Sequence, residues 1–245
     1  LGHLGGARCS FERLPGGEAL GEQLDADARR GRVFAFATNI LSLLGRLDEA
    51  LAIGIRALQI AERLQNLRLR IQTTTYLEQV HYHRAEHERV VELASANLAS
   101  LPGDWVYENL GSATPAAVFD RCWAVMSLAE LGRFDEAAPL EAEMLRLAAP
   151  THHATTISQA HFAAGRLHLV RGGWDAARTH FERAMAVCRS GHIDLGLPRA
   201  VAACAWVLAQ DGETGAATDL LGEGKALVAR LAAQGSGGHL GWAYV

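Results

Sequence analysis

Residues 171–185 read RGGWDAARTHFERAM, a stretch in which two glycines interrupt a helical pattern that resumes at once. Glycine ends a helix readily because it takes the left-handed backbone conformation without steric cost. Asp175 then falls in the first turn of the following helix, where the helix dipole favours a carboxylate. The stretch therefore predicts two antiparallel helices joined by a tight turn.

Small and large side chains alternate around this turn at helical spacing. Two helices approach each other closely only where small side chains meet, and larger side chains fill the gaps beside them. Gly165, Ala177 and Ala184 are predicted to form the close contact within the hairpin. Trp174 and Phe181 are predicted to fill the joints with the neighbouring hairpins.

The same pattern recurs along the chain, which is typical of a repeat architecture. LGRLDEAL at 44–51 and LGRFDEAA at 131–138 match it well, whereas RAEHERVV at 84–91 and DGETGAAT at 211–218 match it weakly. The turn residues are Gly45, Ala85, Gly132, Gly172 and Gly212. Neighbouring turns lie 40 residues apart, except for 47 residues between the second and the third. One unit therefore holds two helices and two connections.

These units predict an all-α protein, an α-α superhelix of about five antiparallel helix pairs over residues 27–233. The predicted helices span 27–44, 47–64, 67–84, 87–100, 115–131, 134–148, 152–171, 174–190, 197–210 and 214–233. Thr114 and Pro115 are predicted to be the capping residue and the first-turn proline of the fifth helix. We expect residues 1–26 to be the end of a preceding repeat or a linker, and residues 234–245 the start of a further repeat or a flexible tail. The chain is thus expected to be a piece of a longer protein.

At its turns and small-residue positions the chain resembles the tetratricopeptide repeat (TPR) family, whose hairpins stack into a right-handed superhelix. The resemblance covers about residues 27–233 and is weakest around Ala85 and Gly212. There, Glu78 and Thr214 stand in place of the expected small or aromatic residue. The repeat is also longer than the 34 residues usual in that family, which implies lengthened helices.

Units of this length, with LGRFDEA turns in a chain rich in alanine and arginine, also resemble the C-terminal helical regions of large bacterial signalling proteins. Those regions follow an NTPase module, and some occur with a nucleotide cyclase or in transcription regulators with a DNA-binding domain. This second resemblance implies that the chain regulates a neighbouring module.

Composition argues against several classes of protein. With 49% hydrophobic and 20% charged residues the chain is typical of a folded protein, and no apolar run approaches the roughly 20 residues of a membrane helix. The net charge is −4, and the 23 basic residues, of which Lys225 is the only lysine, alternate with acidic ones instead of forming the basic stripe of a nucleic-acid binder. Four separated cysteines, Cys9, Cys122, Cys188 and Cys204, predict reduced thiols and a cytoplasmic location.

No catalytic, metal or cofactor motif is evident in the sequence. His161 and His168 are seven apart and share a helical face, but the sequence offers no carboxylate or cysteine to complete a zinc site. The chain lacks a GxxxxGK[ST] phosphate-binding loop, and the glycines at 235–241 follow a helix, not a strand. The chain is therefore predicted to be a non-enzyme that binds no metal or cofactor.

The inner face of such a superhelix, formed by the first helix of each pair, is where a partner is expected to bind. The TPR resemblance implies that this face carries Arg32, Asn39, Gln72, Gln79, Tyr82, Phe119, Met126, Gln159, Phe162, Arg166, Arg199 and Trp206. The aromatic side chains are of the type enriched in protein interfaces, or they pack against neighbouring helices. Arg166 and Arg199, on an otherwise uncharged face, predict a carboxylate or phosphate partner. Some relatives grip a peptide carboxylate with an asparagine and a basic residue; Asn39 matches, but Ala35 takes the basic position, so that clamp is expected to be absent.

The longer connection, LPGDWVYENLGSATP at 101–115, holds Trp105 and Tyr107 among turn-forming residues. Two interpretations remain open for this loop. It folds over the inner face as a lid, or it is a surface loop whose two rings cover the joint between hairpins.

Three hypotheses of function follow from these patterns. The leading one is a non-catalytic scaffold whose inner face binds a protein or peptide segment, either from a partner or from another domain of the same polypeptide. The second is a small-molecule sensor that encloses its ligand in the superhelix, and the third a metal-dependent enzyme. An isolated stretch of repeats exposes apolar ends, so the fragment is also expected to be able to dimerise end to end, without biological meaning.

Overall fold

The computed structural model describes residues 27–194 and 196–233, and within these ranges the chain is all α-helical without a β-strand. The ten helices are α1 (Asp27–Leu43), α2 (Leu47–Arg63), α3 (Leu67–His83), α4 (His87–Ser100), α5 (Ala116–Glu130), α6 (Phe134–Ala148), α7 (Ala154–Arg171), α8 (Trp174–Ser190), α9 (Leu197–Gln210) and α10 (Thr214–Ala233). Short 3-10 helices lie at Gly103–Trp105 and Ala149–Thr151. Every predicted helix is confirmed to within two residues at each end. The predictions for residues 1–26 and 234–245, and for Cys9, fall outside the described residues.

The helices form five antiparallel hairpins arranged in two layers. Each odd-numbered helix packs against its partner within the hairpin and against the next odd-numbered helix, so that α1, α3, α5, α7 and α9 line one side. Each even-numbered helix from α2 to α8 packs between two odd-numbered ones on the opposite side. The predicted superhelix of stacked helix pairs is confirmed, and its odd-numbered helices form the inner face.

The five predicted turn residues all adopt the left-handed conformation. At Gly172 φ is +82°, and the amide of Gly173 donates to the carbonyl of His168 at 2.8 Å, which closes the last turn of α7. Ala85 occupies the equivalent position after α3 with φ of +57°. Because a side chain there meets the following carbonyl, this turn is strained where the glycine turn is not.

The packing of α7 against α8 follows the prediction in part. Ala177, Phe181 and Ala184 are buried, and Trp174 reaches the next hairpin, where its ring lies 5.3 Å from that of Trp206. Phe181 packs within its own hairpin, against Gly165 and Phe162. A Cβ added to Gly165 would lie 2.5 Å from Cε1 of Phe181, so the glycine accommodates the ring within the same hairpin. The prediction is confirmed for Trp174, and the contact of Phe181 with a neighbouring hairpin stays a prediction.

The predicted cap of the fifth helix is also corrected. α5 begins at Ala116, one residue later than expected, and Pro115 takes the capping position without a side-chain hydrogen bond. Thr114 is buried and its hydroxyl donates to Oε1 of Gln159 on α7 at 2.9 Å. The hydroxyl therefore bonds to the next hairpin instead of capping α5.

A continuous apolar core runs along the superhelix from Tyr82 on α3 to Leu231 on α10, and a smaller cluster around Phe34 and Tyr76 holds the first hairpin to α3. None of the described helices combines the length and the apolar character that a bilayer crossing requires.

Candidate functional site

A cavity of about 330 Å³ lies on the inner face. Side chains from α1, α3, α5, α7 and α9 all line it, together with Ser112, Ala113 and Thr114 from the end of loop 101–115. The curvature of the stack therefore brings the first hairpin and the last into one site, which we call the inner cavity.

Five of the predicted inner-face residues line the inner cavity: Asn39, Gln79, Phe119, Gln159 and Arg199. The others lie elsewhere. Tyr82, Met126 and Phe162 are buried in the core, Arg32 and Trp206 are exposed, and Gln72 and Arg166 are half-buried. Among the aromatic side chains, Phe119 borders the cavity and also packs against Trp123 at 5.6 Å, whereas Phe162 packs against Phe181 at 5.7 Å.

Arg166 is not a free cation. Its guanidinium donates to Oε1 of Glu130, the last residue of α5, at 2.6 Å. The expectation of an otherwise uncharged inner face was wrong here, because the carboxylate comes from the neighbouring hairpin and its approach depends on how the two hairpins stack.

Arg199 differs from Arg166 because no carboxylate among the described residues pairs with it. Its guanidinium carbon lies 4.4 Å above the ring centroid of Phe162, and its Nε is buried without a hydrogen-bond partner. Burial lowers the pKa of this guanidinium, while the nearby thiols of Cys188 and Cys122 and the Tyr82 hydroxyl raise it. A buried polar atom without a partner is destabilising, so an anion bound beside Arg199 would relieve that penalty.

Neutral hydrogen-bonding groups surround Arg199 in the inner cavity. Asn39, Gln79 and Gln159 bring amide groups from three different helices, and His83 contacts the hydroxyl of Ser42 through Nδ1 at 3.2 Å. Tyr76, Phe119 and Trp123 contribute aromatic surface. The cavity thus combines one cation, several amides and apolar rings, a combination typical of sites that recognise a polar ligand with a defined orientation.

Loop 101–115 reaches the inner cavity with its end and not with its aromatic residues. The ring of Trp105 stacks under the guanidinium of Arg68 at 4.3 Å, and Arg68 also pairs with Glu108 at 3.0 Å. Tyr107 is 54% exposed. The proposed lid residues therefore lie outside the cavity wall, and the small residues at 112–114 form it instead.

A buried pair of carboxyl groups, Glu78 and Asp120, lies between α3, α4 and α5. Asp120 accepts hydrogen bonds from Thr75 at 2.7 Å and from Asn97 at 2.8 Å, and the carboxyl group of Glu78 lies against that of Asp120, with which it shares a hydrogen bond when one of the two is protonated. Burial and the neighbouring Asp120 raise the pKa of Glu78 well above its ordinary value, and burial raises the pKa of Asp120 to about 7. The sequence identified Glu78 as a misfit in its repeat but gave no signal for Asp120.

A second group of polar side chains lies outside the inner cavity, where α6, α7 and α8 meet. His168 and His161 lie on α7 as predicted, and Glu141 of α6 and His180 of α8 join them. The inference that no carboxylate accompanies these histidines was wrong. The missing partner is 27 residues away along the chain and no spacing rule within one helix finds it.

Comparison with known proteins identifies the fold. No family model matches the sequence, and no curated protein matches it either. Solved structures do: a Rap protein complexed with Competence and Sporulation Factor superposes with a TM-score of 0.69 over 81% of this chain, at 15% sequence identity. The match covers 55% of that protein, so the chain spans about half of its length.

Two further structures are matched over most of their own length. BtubC (BKLC) from P. vanneervenii has a TM-score of 0.63 at 16% identity, covering 91% of this chain and 90% of its own. The TPR-like repeats of a putative kinesin light chain from Podosopora anserina have a TM-score of 0.57 at 16% identity, covering 82% and 95%. At these identities the likeness shows a TPR-like helical-repeat fold, as the repeat pattern predicted.

Proposed function

We propose that this chain is a non-catalytic scaffold whose inner cavity binds a protein segment and recognises a carboxylate of that segment through Arg199. The observation that carries the proposal is a guanidinium that faces the cavity with a buried nitrogen unsatisfied and no carboxylate beside it among the described residues. Charge-assisted hydrogen bonds between arginine and a carboxylate are roughly twice as strong as hydrogen bonds between neutral groups. A bound carboxylate therefore supplies the hydrogen-bond acceptor that the guanidinium of Arg199 lacks.

The amide groups around Arg199 support a peptide as the ligand. A peptide backbone presents alternating donors and acceptors, and side-chain amides supply both. Asn39 on α1 and Arg199 on α9 line the same cavity, so an asparagine and a basic residue face one space even though Ala35 is buried and uncharged. The Rap structure was solved with Competence and Sporulation Factor bound, an association that agrees with a binding role for this fold.

The test is a binding assay with fluorescein-labelled peptides offered in three forms: with a free C-terminal carboxylate, with an amidated C-terminus, and with acidic side chains replaced by amides. Arg199→Gln is expected to lower affinity about 10- to 100-fold, because a hydrogen bond to a charged group contributes about 1.5–3 kcal/mol. The peptide form that loses binding in the unmodified chain identifies the carboxylate that is recognised.

The matched control is Arg89→Gln on α4, where the arginine is exposed and pairs with Glu92. Arg166→Gln is expected to weaken binding less than Arg199→Gln, because Glu130 already neutralises that cation. Equal affinities for the unmodified chain and Arg199→Gln would remove the inner cavity from the proposal.

We further propose that the bound segment belongs to a partner protein or to another domain of the same bacterial, cytoplasmic signalling protein, and that its binding regulates a neighbouring catalytic or DNA-binding module. The three described cysteines are buried free thiols, which agrees with a reducing compartment. The full-length sequence tests this context directly, since an adjacent NTPase, cyclase or DNA-binding domain is expected.

A small-molecule ligand is the second candidate, and the volume of the inner cavity favours it. About 330 Å³ falls within the range of roughly 300–1,000 Å³ that ligand sites occupy. Thermal denaturation in the presence of a metabolite library tests it, because a ligand that binds only the folded state raises the melting temperature. A shift that persists in Arg199→Gln would point to a ligand without an anionic group.

A further inference from the structure

Four side chains from three helices meet outside the inner cavity. Glu141 lies on α6, His161 and His168 on α7, and His180 on α8. Glu141, His168 and His180 are mostly buried, with side-chain exposures of 14%, 23% and 19%. The cluster therefore spans the joint between the third and fourth hairpins and is partly withdrawn from water.

One carboxylate oxygen is faced by two imidazole nitrogens. Oε1 of Glu141 lies 2.9 Å from Nε2 of His168 and 3.8 Å from Nε2 of His180. One donor atom from each of the three residues lies within 4.8 Å of the others. Donor atoms around a tetrahedral zinc ion, at bond lengths of 2.0–2.2 Å, are separated by about 3.4 Å. The separations of 2.9 and 3.8 Å bracket that value. The rings of His168 and His180 are parallel to within 4°, so one ring would rotate for both lone pairs to point at the same ion.

His161 completes the arrangement from behind His180. Nδ1 of His161 lies 3.0 Å from Nδ1 of His180, on the side of the His180 ring opposite Glu141. When Nε2 of a histidine binds a metal, its Nδ1–H usually donates to a nearby acceptor that fixes the orientation of the ring. Nδ1 of a neutral His161 is such an acceptor.

We infer that Glu141, His168 and His180 form a binding site for a divalent transition-metal ion of the zinc class, with His161 orienting His180. Two imidazoles and one carboxylate are a ligand set that zinc accepts, and a water molecule completes four-coordination. The ion would link α6 to α7 and α8, and so fix the angle between two hairpins of the stack. This role is independent of the inner cavity.

The experiment is a titration of the full chain, first stripped with EDTA and dialysed, with ZnCl2 in an isothermal calorimeter, with metal analysis after gel filtration. One zinc per chain is expected, together with a rise in melting temperature. Glu141→Gln, His168→Gln and His180→Gln are each expected to lower zinc affinity by at least 10-fold, whereas His153→Gln, an exposed histidine outside the cluster, leaves it unchanged.

Two further variants separate binding from folding. His161→Ala is expected to lower zinc affinity about 10-fold, and His161→Gln, which restores an acceptor oxygen, to recover most of it. Circular dichroism in EDTA is expected to show the same helicity for all variants. Less than a tenth of an equivalent of zinc in the unmodified chain, or equal zinc affinity in the Glu141→Gln/His180→Gln double variant, would overturn the site.

Discussion

The second hairpin and the fourth solve the same packing problem in opposite ways. In the fourth, α7 and α8 meet through Gly165 and Phe181, an apolar contact in which the missing Cβ leaves room for a ring. In the second, α3 carries a buried Glu78, and the adjacent space holds Asp120 and Asn97. The turns differ too, with glycine at 172 and a strained alanine at 85.

The comparison shows that a repeat tolerates a polar interior when the neighbouring hairpin supplies the partners. Asn97 donates to Asp120 across the joint of the second and third hairpins. A buried carboxylate without such partners is strongly destabilising, so the protonated form has the lower free energy. The stability of the fourth hairpin depends on how its side chains fit together, whereas that of the second depends on protonation and hydrogen bonds.

The largest expected effect is on the apolar contact of the fourth hairpin. Phe181→Ala is expected to lower the free energy of unfolding by about 3–5 kcal/mol, because it leaves a cavity at a fully buried position. Denaturation in urea measures it. Trp206→Ala, at a 44% exposed ring, is the control and is expected to change stability far less.

The partner residue sharpens this test. Gly165→Leu alone is expected to lower stability by about 1–3 kcal/mol, because its side chain collides with the Phe181 ring. When Gly165→Leu is combined with Phe181→Ala, the leucine has room. The double variant is therefore expected to lose less stability than the two single variants lose together. Strict additivity would mean that the two positions do not touch.

A pH-dependent effect is expected in the second hairpin. The pKa of Glu78 is raised in the folded chain, so folding takes up a proton. The stability that this proton uptake contributes is fully present below the ordinary carboxyl pKa, and it is lost as the pH rises towards the pKa of Glu78 in the folded chain. Glu78→Gln keeps the shape but cannot ionise. Relative to the unmodified chain it is therefore expected to gain stability from pH 5 to pH 8, by up to about 1.4 kcal/mol per pH unit.

Urea denaturation at several pH values measures this difference, with the exposed Glu92→Gln as the control. The lowered pKa values of His161 and His180 give the opposite pH dependence, but they act equally in both proteins and cancel in the comparison. Parallel stability curves for Glu78→Gln and the unmodified chain would show that Glu78 is ionised in the folded state.

The smallest effect is expected at the turns. Ala85→Gly is expected to stabilise the chain by up to about 1 kcal/mol, because it removes the strain of a side chain at positive φ. Gly172→Ala is expected to destabilise by a similar amount. Thermal denaturation of the two variants checks both signs, and a loss of stability in Ala85→Gly would mean that chain entropy outweighs the strain.

Much of the fold was predictable because its signals are local. Each turn residue ends a helix through its own backbone preference, and small residues repeat at fixed distances from it. That information lies within about forty residues of sequence, and it predicted every helix to within two residues. The misplaced cap at Thr114 shows the limit, since its hydroxyl is taken by Gln159 from a hairpin 45 positions away.

The candidate sites were less predictable because each joins residues from different hairpins. Asn39 was identified correctly as an inner-face residue, but its proximity to Arg199 depends on the curvature accumulated over five hairpins. The ion pair of Glu130 with Arg166 was not predicted, because helical periodicity assigns residues to the faces of one helix at a time.

By itself the sequence determined the repeat, the helices and which helix of each pair faces inward, since these follow from backbone preferences and helical periodicity. Only the tertiary structure decided which charges meet: Glu130 with Arg166, Asp120 with Glu78, and Glu141 with His168 and His180. The physical reason is that contacts between hairpins depend on the angles at which they stack. Those angles arise from the sum of many side-chain contacts, and no single stretch of sequence encodes them.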